Sequence, residues 1–313
     1  MMPTSINGLS VERVDGDTPA RADRDILWRV IRDDDLPCEP HDGVSFLRVE
    51  GEAAPGGIVT HHVFGTQGRV RCRFSVSPDG REVVTRVAPQ VAECDVVGLF
   101  CEPVMRTILV RRGLPSLHAA ALSRDGSTIV VMGHKGAGKS TLSAALQQLG
   151  WSVVADDLVR VAAIDGVWHC FAGHRQTKLT PAAVAHFGAQ GLSTRWRSAT
   201  EGDETDDGKL LLPPDPDSVA PPVSPVTALL ILGPRRRDLA EVECVPATAI
   251  EVMRAMLDNG TPDPLAPAGA PPSLDPGVIS GLAGQARIYR VTLPDRLANL
   301  AESARKITAL MGS

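Results

Sequence analysis

The sequence predicts an α/β fold, with one large α/β domain over residues 96–313 preceded by a small β-rich region over residues 1–95. Three observations predict it. An apolar run of strand length, 128–132, leads into a glycine-rich loop and then a segment of helical period. A second short apolar run, 151–155, follows that helix and ends on the carboxylates Asp156 and Asp157. Residues 25–95, by contrast, alternate apolar and polar positions between turn signals.

Taken in chain order, the alternating segments 44–49, 58–64, 69–76 and 82–87, with a turn at Pro78-Asp79-Gly80-Arg81, predict a largely antiparallel β region. The period then changes: Val96, Val97, Leu99, Phe100, Val104, Ile108 and Leu109 share one face of a helix over 95–112. Segments 117–123 and 128–132 flank Asp125-Gly126, the signature of a tight hairpin. After Lys139, Leu142, Ala145, Leu146 and Leu149 mark the inward side of a helix that Gly150 stops. Beyond the Asp pair, a short helix is expected at 180–188, a buried strand at 226–232, an amphipathic helix at 246–257, a strand at 288–293 and a closing helix at 295–311. The polar, acidic, proline-rich stretch 198–225 reads as an insert or lid, and 261–276 as a linker.

Composition narrows the class of function. Of 313 residues, 43% are hydrophobic and 22% charged, the balance of an ordinary globular chain able to bury a sizeable core. The net charge of -5 argues against a nucleic-acid partner. No apolar run approaches the roughly 20 residues that cross a bilayer, and residues 1–24 carry no apolar signal-peptide core. No membrane association and a cytoplasmic location are therefore expected. Six cysteines (Cys38, Cys72, Cys94, Cys101, Cys170, Cys244) show neither CxxC pairs nor zinc spacing and read as reduced structural thiols.

The chemistry concentrates in Gly133-His134-Lys135-Gly136-Ala137-Gly138-Lys139-Ser140-Thr141. Glycines at the first and sixth positions permit backbone angles that aim successive N–H groups at phosphate oxygens, and the following helix adds its dipole. In this pattern Gly133, Lys135, Gly136, Ala137, Gly138, Lys139, Ser140 and Thr141 line a nucleoside triphosphate's phosphates. Lys139 reaches the β- and γ-phosphates, and the Ser140 hydroxyl sits on Mg²⁺. Asp156 and Asp157 end the next strand, where one carboxylate can hold Mg²⁺ and another can take a proton from an attacking hydroxyl. His118 is conspicuous in an apolar run, a position that by itself more often holds a hydrogen-bonded core histidine than a catalytic one.

Together, Leu117-His118-Ala119-Ala120-Ala121, the loop 133–141 and the run 150–159 around Asp156-Asp157 resemble the catalytic domain of the HPr serine kinase/phosphorylases. They resemble still more the shorter HPr-kinase-like tailoring enzymes of peptide natural products. The resemblance covers about 117–161. It implies a P-loop kinase domain related to phosphoenolpyruvate carboxykinase, with ATP or another nucleoside triphosphate and Mg²⁺ as the donor system. It further implies Asp157 as the base toward the acceptor hydroxyl, Asp156 as a metal-associated carboxylate with Ser140, and His118 beside the transferred phosphoryl group. The two aspartate roles are interchangeable at this stage. A Ser or Thr of a peptide or small protein is the implied acceptor, and a homo-oligomer the implied assembly.

One departure stands out: the family's Glu-Ile-Arg-Gly signature is replaced by Phe171-Ala172-Gly173-His174-Arg175-Gln176-Thr177-Lys178-Leu179, which lacks the acid. Arg175 and Lys178 become the candidates to neutralise charge on the transferring group, with Lys209 a further one from the polar insert. A small-molecule kinase and a non-catalytic nucleotide-binding module are the competing readings.

Overall fold

The computed structural model describes residues 5–16, 24–33, 36, 45–66, 69–189, 210–212, 220–266 and 274–312. Contacts divide the chain into two compact units, Met1–Ser116 with Thr261–Ser273, and Leu117–Gly260 with Leu274–Ser313. The chain thus leaves the first unit at Ser116, downstream of the expected boundary at 95/96.

The first unit is a seven-stranded sheet of β1 (Ser5–Ile6), β2 (Leu9–Asp15), β3 (Ile26–Arg32), β4 (Ser45–Ala54), β5 (Gly57–Thr66), β6 (Arg69–Val76) and β7 (Glu82–Val87), in the order β1-β2-β3-β7-β6-β5-β4. It is largely antiparallel, as expected, with the exception that β2, β3 and β7 run parallel to one another. β4 to β7 form an antiparallel meander, and its last strand returns beside β3 in β3's own direction. The N-terminal segment is polar in composition yet buries Leu9, Val11 and Val14, and it pairs as a strand. The helix expected at 95–112 is α1 (Glu93–Leu99) and α2 (Met105–Arg111), joined by a π-helical turn at Phe100–Val104. Pro103 lies in that turn and has no N–H to donate, which removes one rung of the α-helical ladder. Phe100 stacks on Trp28 with ring centroids 3.9 Å apart, and Trp28 Nε1 donates to Thr85 Oγ1 at 2.7 Å. Those contacts assign the helix to the first unit's core.

The second unit begins at Leu117, within β8 (Ser116–Leu117), the short strand at which the chain passes from one unit to the other. Its main sheet contains β9 (Ala120–Arg124), β10 (Ser127–Gly133), β11 (Ser152–Ala155), β17 (Ala228–Leu232), β18 (Glu243–Pro246) and β19 (Arg287–Thr292), ordered β11-β9-β10-β17-β19-β18. Asp125 and Gly126, at φ 49° and 79°, close the β9–β10 hairpin in the twist that suits right-handed strands. β10 pairs parallel with β17, and β17 with β19. β9 is antiparallel to both β10 and β11, which makes β11 parallel to β10.

Helices cover both faces. Ile129 and Val131 of β10 pack into a cluster with Leu142 and Leu146 of α3 (Lys139–Gln147), Phe187 of α4 (Pro181–Ala189) and Ile307 of α7 (Leu300–Gly312). Val130 and Met132 pack into the other, with Val252 and Met256 of α5 (Ala249–Asn259) and Leu282 of α6 (Pro276–Gln285). Burial on both sides explains why these strands read as continuous apolar runs. Thr248 and Glu251 form a reciprocal capping box at the start of α5.

The smaller strands β12 (Val159–Ile164), β13 (Val167–Phe171) and β16 (Val223–Pro225) pair beside the second cluster, and β14 (Thr177–Leu179) pairs with β15 (Leu210–Leu212). Two parts of the stretch expected as an insert or lid are therefore paired strands. Residues 198–209, which include Lys209, and 213–219 lie outside the described residues. Among the described residues no helix is long and apolar enough to cross a membrane, and burial pushes the Cys101 and Cys170 thiols up to about 12.

Candidate functional site

The strand directions gather the site on one edge of the second unit's sheet. The C-terminal ends of β11, β10, β17 and β19 and the N-terminal end of β9 all open there. In sheet order that edge carries Asp156 and Asp157 after β11, His118 before β9, the glycine-rich loop after β10, Gly233 to Arg237 after β17 and Asp295 after β19. Such an edge is where open α/β sheets bind ligands.

Gly133 ends β10 where a side chain would be crowded. A Cβ there would meet Leu232 O at 3.0 Å and Ala137 Cβ at 3.2 Å. The loop then turns through Gly136 and Gly138, both at positive φ, into α3. Lys139, only 8% exposed, folds back so that Nζ donates to Gly133 O at 2.6 Å. Its ammonium group is thereby held across the mouth of the loop. The first-turn N–H groups of α3 have no intrahelical acceptors, so the loop presents donors, a helix dipole and a lysine to one small space. Ser140 and Thr141 are the next two residues of the same first turn.

Asp156 is buried, and its Oδ1 accepts from the Asp157 backbone N at 3.1 Å. Asp157 takes a left-handed backbone, φ 65°, which an aspartate tolerates better than most residues. That turn points its carboxylate the other way: Oδ2 lies 3.1 Å from Lys178 Nζ, and Oδ1 3.8 Å from His118 Nδ1. His118 Nδ1 is also 3.1 Å from the Asp157 carbonyl oxygen. A carbonyl only accepts, so Nδ1 carries the hydrogen in this contact.

The structure brings His118, Asp157 and Lys178 together at the edge that carries the loop. It also places His118 off the strand, between β8 and β9, because strand pairing starts only at Ala120. Arg175 goes elsewhere: its Nη2 donates to Ala220 O at 3.3 Å, and desolvation lowers the guanidinium's pKa. Lys178 is the basic residue of that segment that meets the carboxylate. Two further features had no signal in the motifs. Asn259, at the end of α5, is buried and accepts from Gly133 N at 3.3 Å through Oδ1, while its carbonyl accepts from His118 N at 2.6 Å. Asp295 pairs with Arg235 and Arg237, each at 3.3 Å. Three consecutive arginines after a buried strand were the only trace of that cluster in the sequence.

No protein-family model matches the chain, and no curated protein matches it. Among solved structures, the chain is similar to the Hpr(Ser) kinase/phosphatase from Coxiella burnetii, at 15% identity and a TM-score of 0.32, over 63% of this chain and 99% of that one. An overlap of that degree leaves the site to be read from its own residues.

Proposed function

We propose that this chain is an ATP- and Mg²⁺-dependent kinase that transfers the γ-phosphoryl group to a hydroxyl, that of a Ser or Thr in a peptide or small protein. One observation carries the reading. A carboxylate paired with a lysine and flanked by a histidine, the Asp157–Lys178–His118 group, stands on the same sheet edge as the glycine-rich loop with its buried lysine. In-line transfer needs a phosphate cradle and a base beside it, both positioned in advance.

The donor set suits a hard cation. Among the described residues no group of three His, Cys, Asp or Glu is placed to hold a metal ion. Magnesium instead takes one or two carboxylates and completes its shell with water and phosphate oxygens. Asp156 and the Ser140 hydroxyl would hold it, with Asp157 adjacent. When bound, it supplies positive charge to the β- and γ-phosphate oxygens. The chain's own groups do the rest. Backbone N–H groups of the loop orient the phosphates, and Lys139 leaves Gly133 O to neutralise them. Asp157 Oδ accepts the acceptor's proton, while Lys178 balances charge as the phosphoryl group arrives.

The test is incubation of the full chain with ATP, Mg²⁺ and a panel of hydroxyl-bearing peptides and small proteins, with mass spectrometry for an added phosphate. Phosphorylation that Asp157→Asn abolishes supports the kinase. Phosphate appearing only on small molecules would replace the acceptor class, and ATP binding without transfer to any acceptor would make the chain a nucleotide-binding module.

A further inference from the structure

A cleft of about 340 Å³ lies on the flank of the loop away from Asp157, lined by His134, Lys135, Ala137, Pro234, Arg235 and Asp295 among others. Its size falls within the roughly 300–1,000 Å³ of small-molecule sites. None of His118, Asp156, Asp157 or Lys178 lines it. Sheet order explains the separation: β9 and β11, which carry the acceptor-side residues, lie on one side of β10, and β17 and β19 on the other.

From this placement we infer that the cleft holds the nucleoside half of the donor, with Asp295 receiving the ribose hydroxyls and Arg235 facing the base. The inference rests on the kinase reading. If the γ-phosphoryl group points to Asp157, a triphosphate lying along the loop must leave its other end toward β17 and β19. The chemistry there suits a nucleoside. The Asp295 carboxylate holds Arg235 Nη1 and Arg237 Nε, one on each oxygen, and each oxygen keeps a second acceptor direction for a hydroxyl. A guanidinium plane stacks on aromatic rings as well as pairing with acids. Arg235 is oriented for this by its bond to Asp295, with 43% of its side chain exposed. Its stem also runs beside the loop, since a Cβ on Gly138 would lie 3.9 Å from Arg235 Cδ. Pro234, between Gly233 and Arg235, adds a rigid apolar wall.

The experiment compares the full chain's affinity for Mg·ATP with that for inorganic tripolyphosphate by calorimetric titration, in wild type, Asp295→Asn and Arg235→Ala. Tripolyphosphate has the phosphates but no nucleoside. The expected result is a loss of about tenfold or more in ATP affinity in both variants, with tripolyphosphate affinity unchanged, which also certifies folding. An equal loss for both ligands would place Arg235 and Asp295 in the phosphate cradle and overturn the inference. Unchanged ATP affinity would overturn it as well, leaving the kinase reading intact. A wild-type chain that binds neither ligand would remove the nucleotide reading and this inference together.

Discussion

Asn259 and Gly133 lie 126 residues apart in sequence, and the Asn259 side-chain oxygen accepts the hydrogen bond of the Gly133 backbone N–H at 3.3 Å. The Asn259 amide donates in turn to Ala255 O at 2.8 Å, and its carbonyl takes the His118 N–H. One buried residue at the end of α5 therefore ties the first residue of the glycine-rich loop to the backbone of His118.

Replacing Asn259 with Leu keeps the volume and removes both side-chain bonds. A buried N–H without a partner costs about 1–3 kcal/mol. Urea unfolding should show a loss of that size, and ATP titration a weaker affinity in the same variant. Unchanged affinity in a destabilised protein would make the link structural only.

Gly133→Ala places a methyl group 3.0 Å from Leu232 O, on a backbone whose φ of 155° suits glycine. Neither the β17 backbone nor Ala137 can yield without disturbing the sheet. A stability loss of about 1–3 kcal/mol is expected, together with loss of nucleotide binding, measured by thermal unfolding with and without Mg·ATP.

Asp157→Asn removes the charge but suits the left-handed backbone nearly as well, so folding and ATP affinity should stay near wild type. Turnover should fall by about 100-fold or more if the carboxylate is the base. Asp157→Val adds a β-branched side chain at φ 65° and should cost a further 1–2 kcal/mol or so in unfolding free energy. Full turnover in Asp157→Asn would remove this residue from the chemistry.

His62 in the first unit supplies a pH dependence. Desolvation, then the nearby charges of Arg106 and His61, lowers it to about 4. Its Nε2 meets Thr107 Oγ1 at 2.8 Å, and Nδ1 is buried without a hydrogen-bond partner. The folded pKa lies below the ordinary 6.5, so the unfolded chain takes up the proton first. Stability is then fully present above about pH 6.5 and falls as pH drops toward 4, by on the order of 3 kcal/mol for this group. Urea midpoints measured from pH 7.5 to 4.5 should fall less steeply in His62→Gln than in wild type.

Local pattern carried far in the second unit. The β9–β10 hairpin, α3, β11 and β17 fall where period and turn residues put them, because strands covered on both faces and helices with one apolar face leave strong periodic signals. α6 did not show. Gly277, Gly281 and Gly284 weaken its helical signal, and its reason for glycine is tertiary: a Cβ on Gly281 would meet Trp168 Nε1 at 2.1 Å. In the first unit, the parallel pairing of β2 and β3 was hidden because alternation reveals a strand but not its neighbour.

The loop 133–141, the Asp156–Asp157 pair and the prominence of His118 are written in short stretches of chain, where spacing alone dictates what the backbone can present. Which basic residue meets Asp157, where Arg175 goes, that Asn259 anchors Gly133, and that Arg235 and Asp295 share a cleft are matters of tertiary structure. Each depends on which strand ends the sheet order brings to one edge, and that order follows from packing the whole core rather than from any local run of residues.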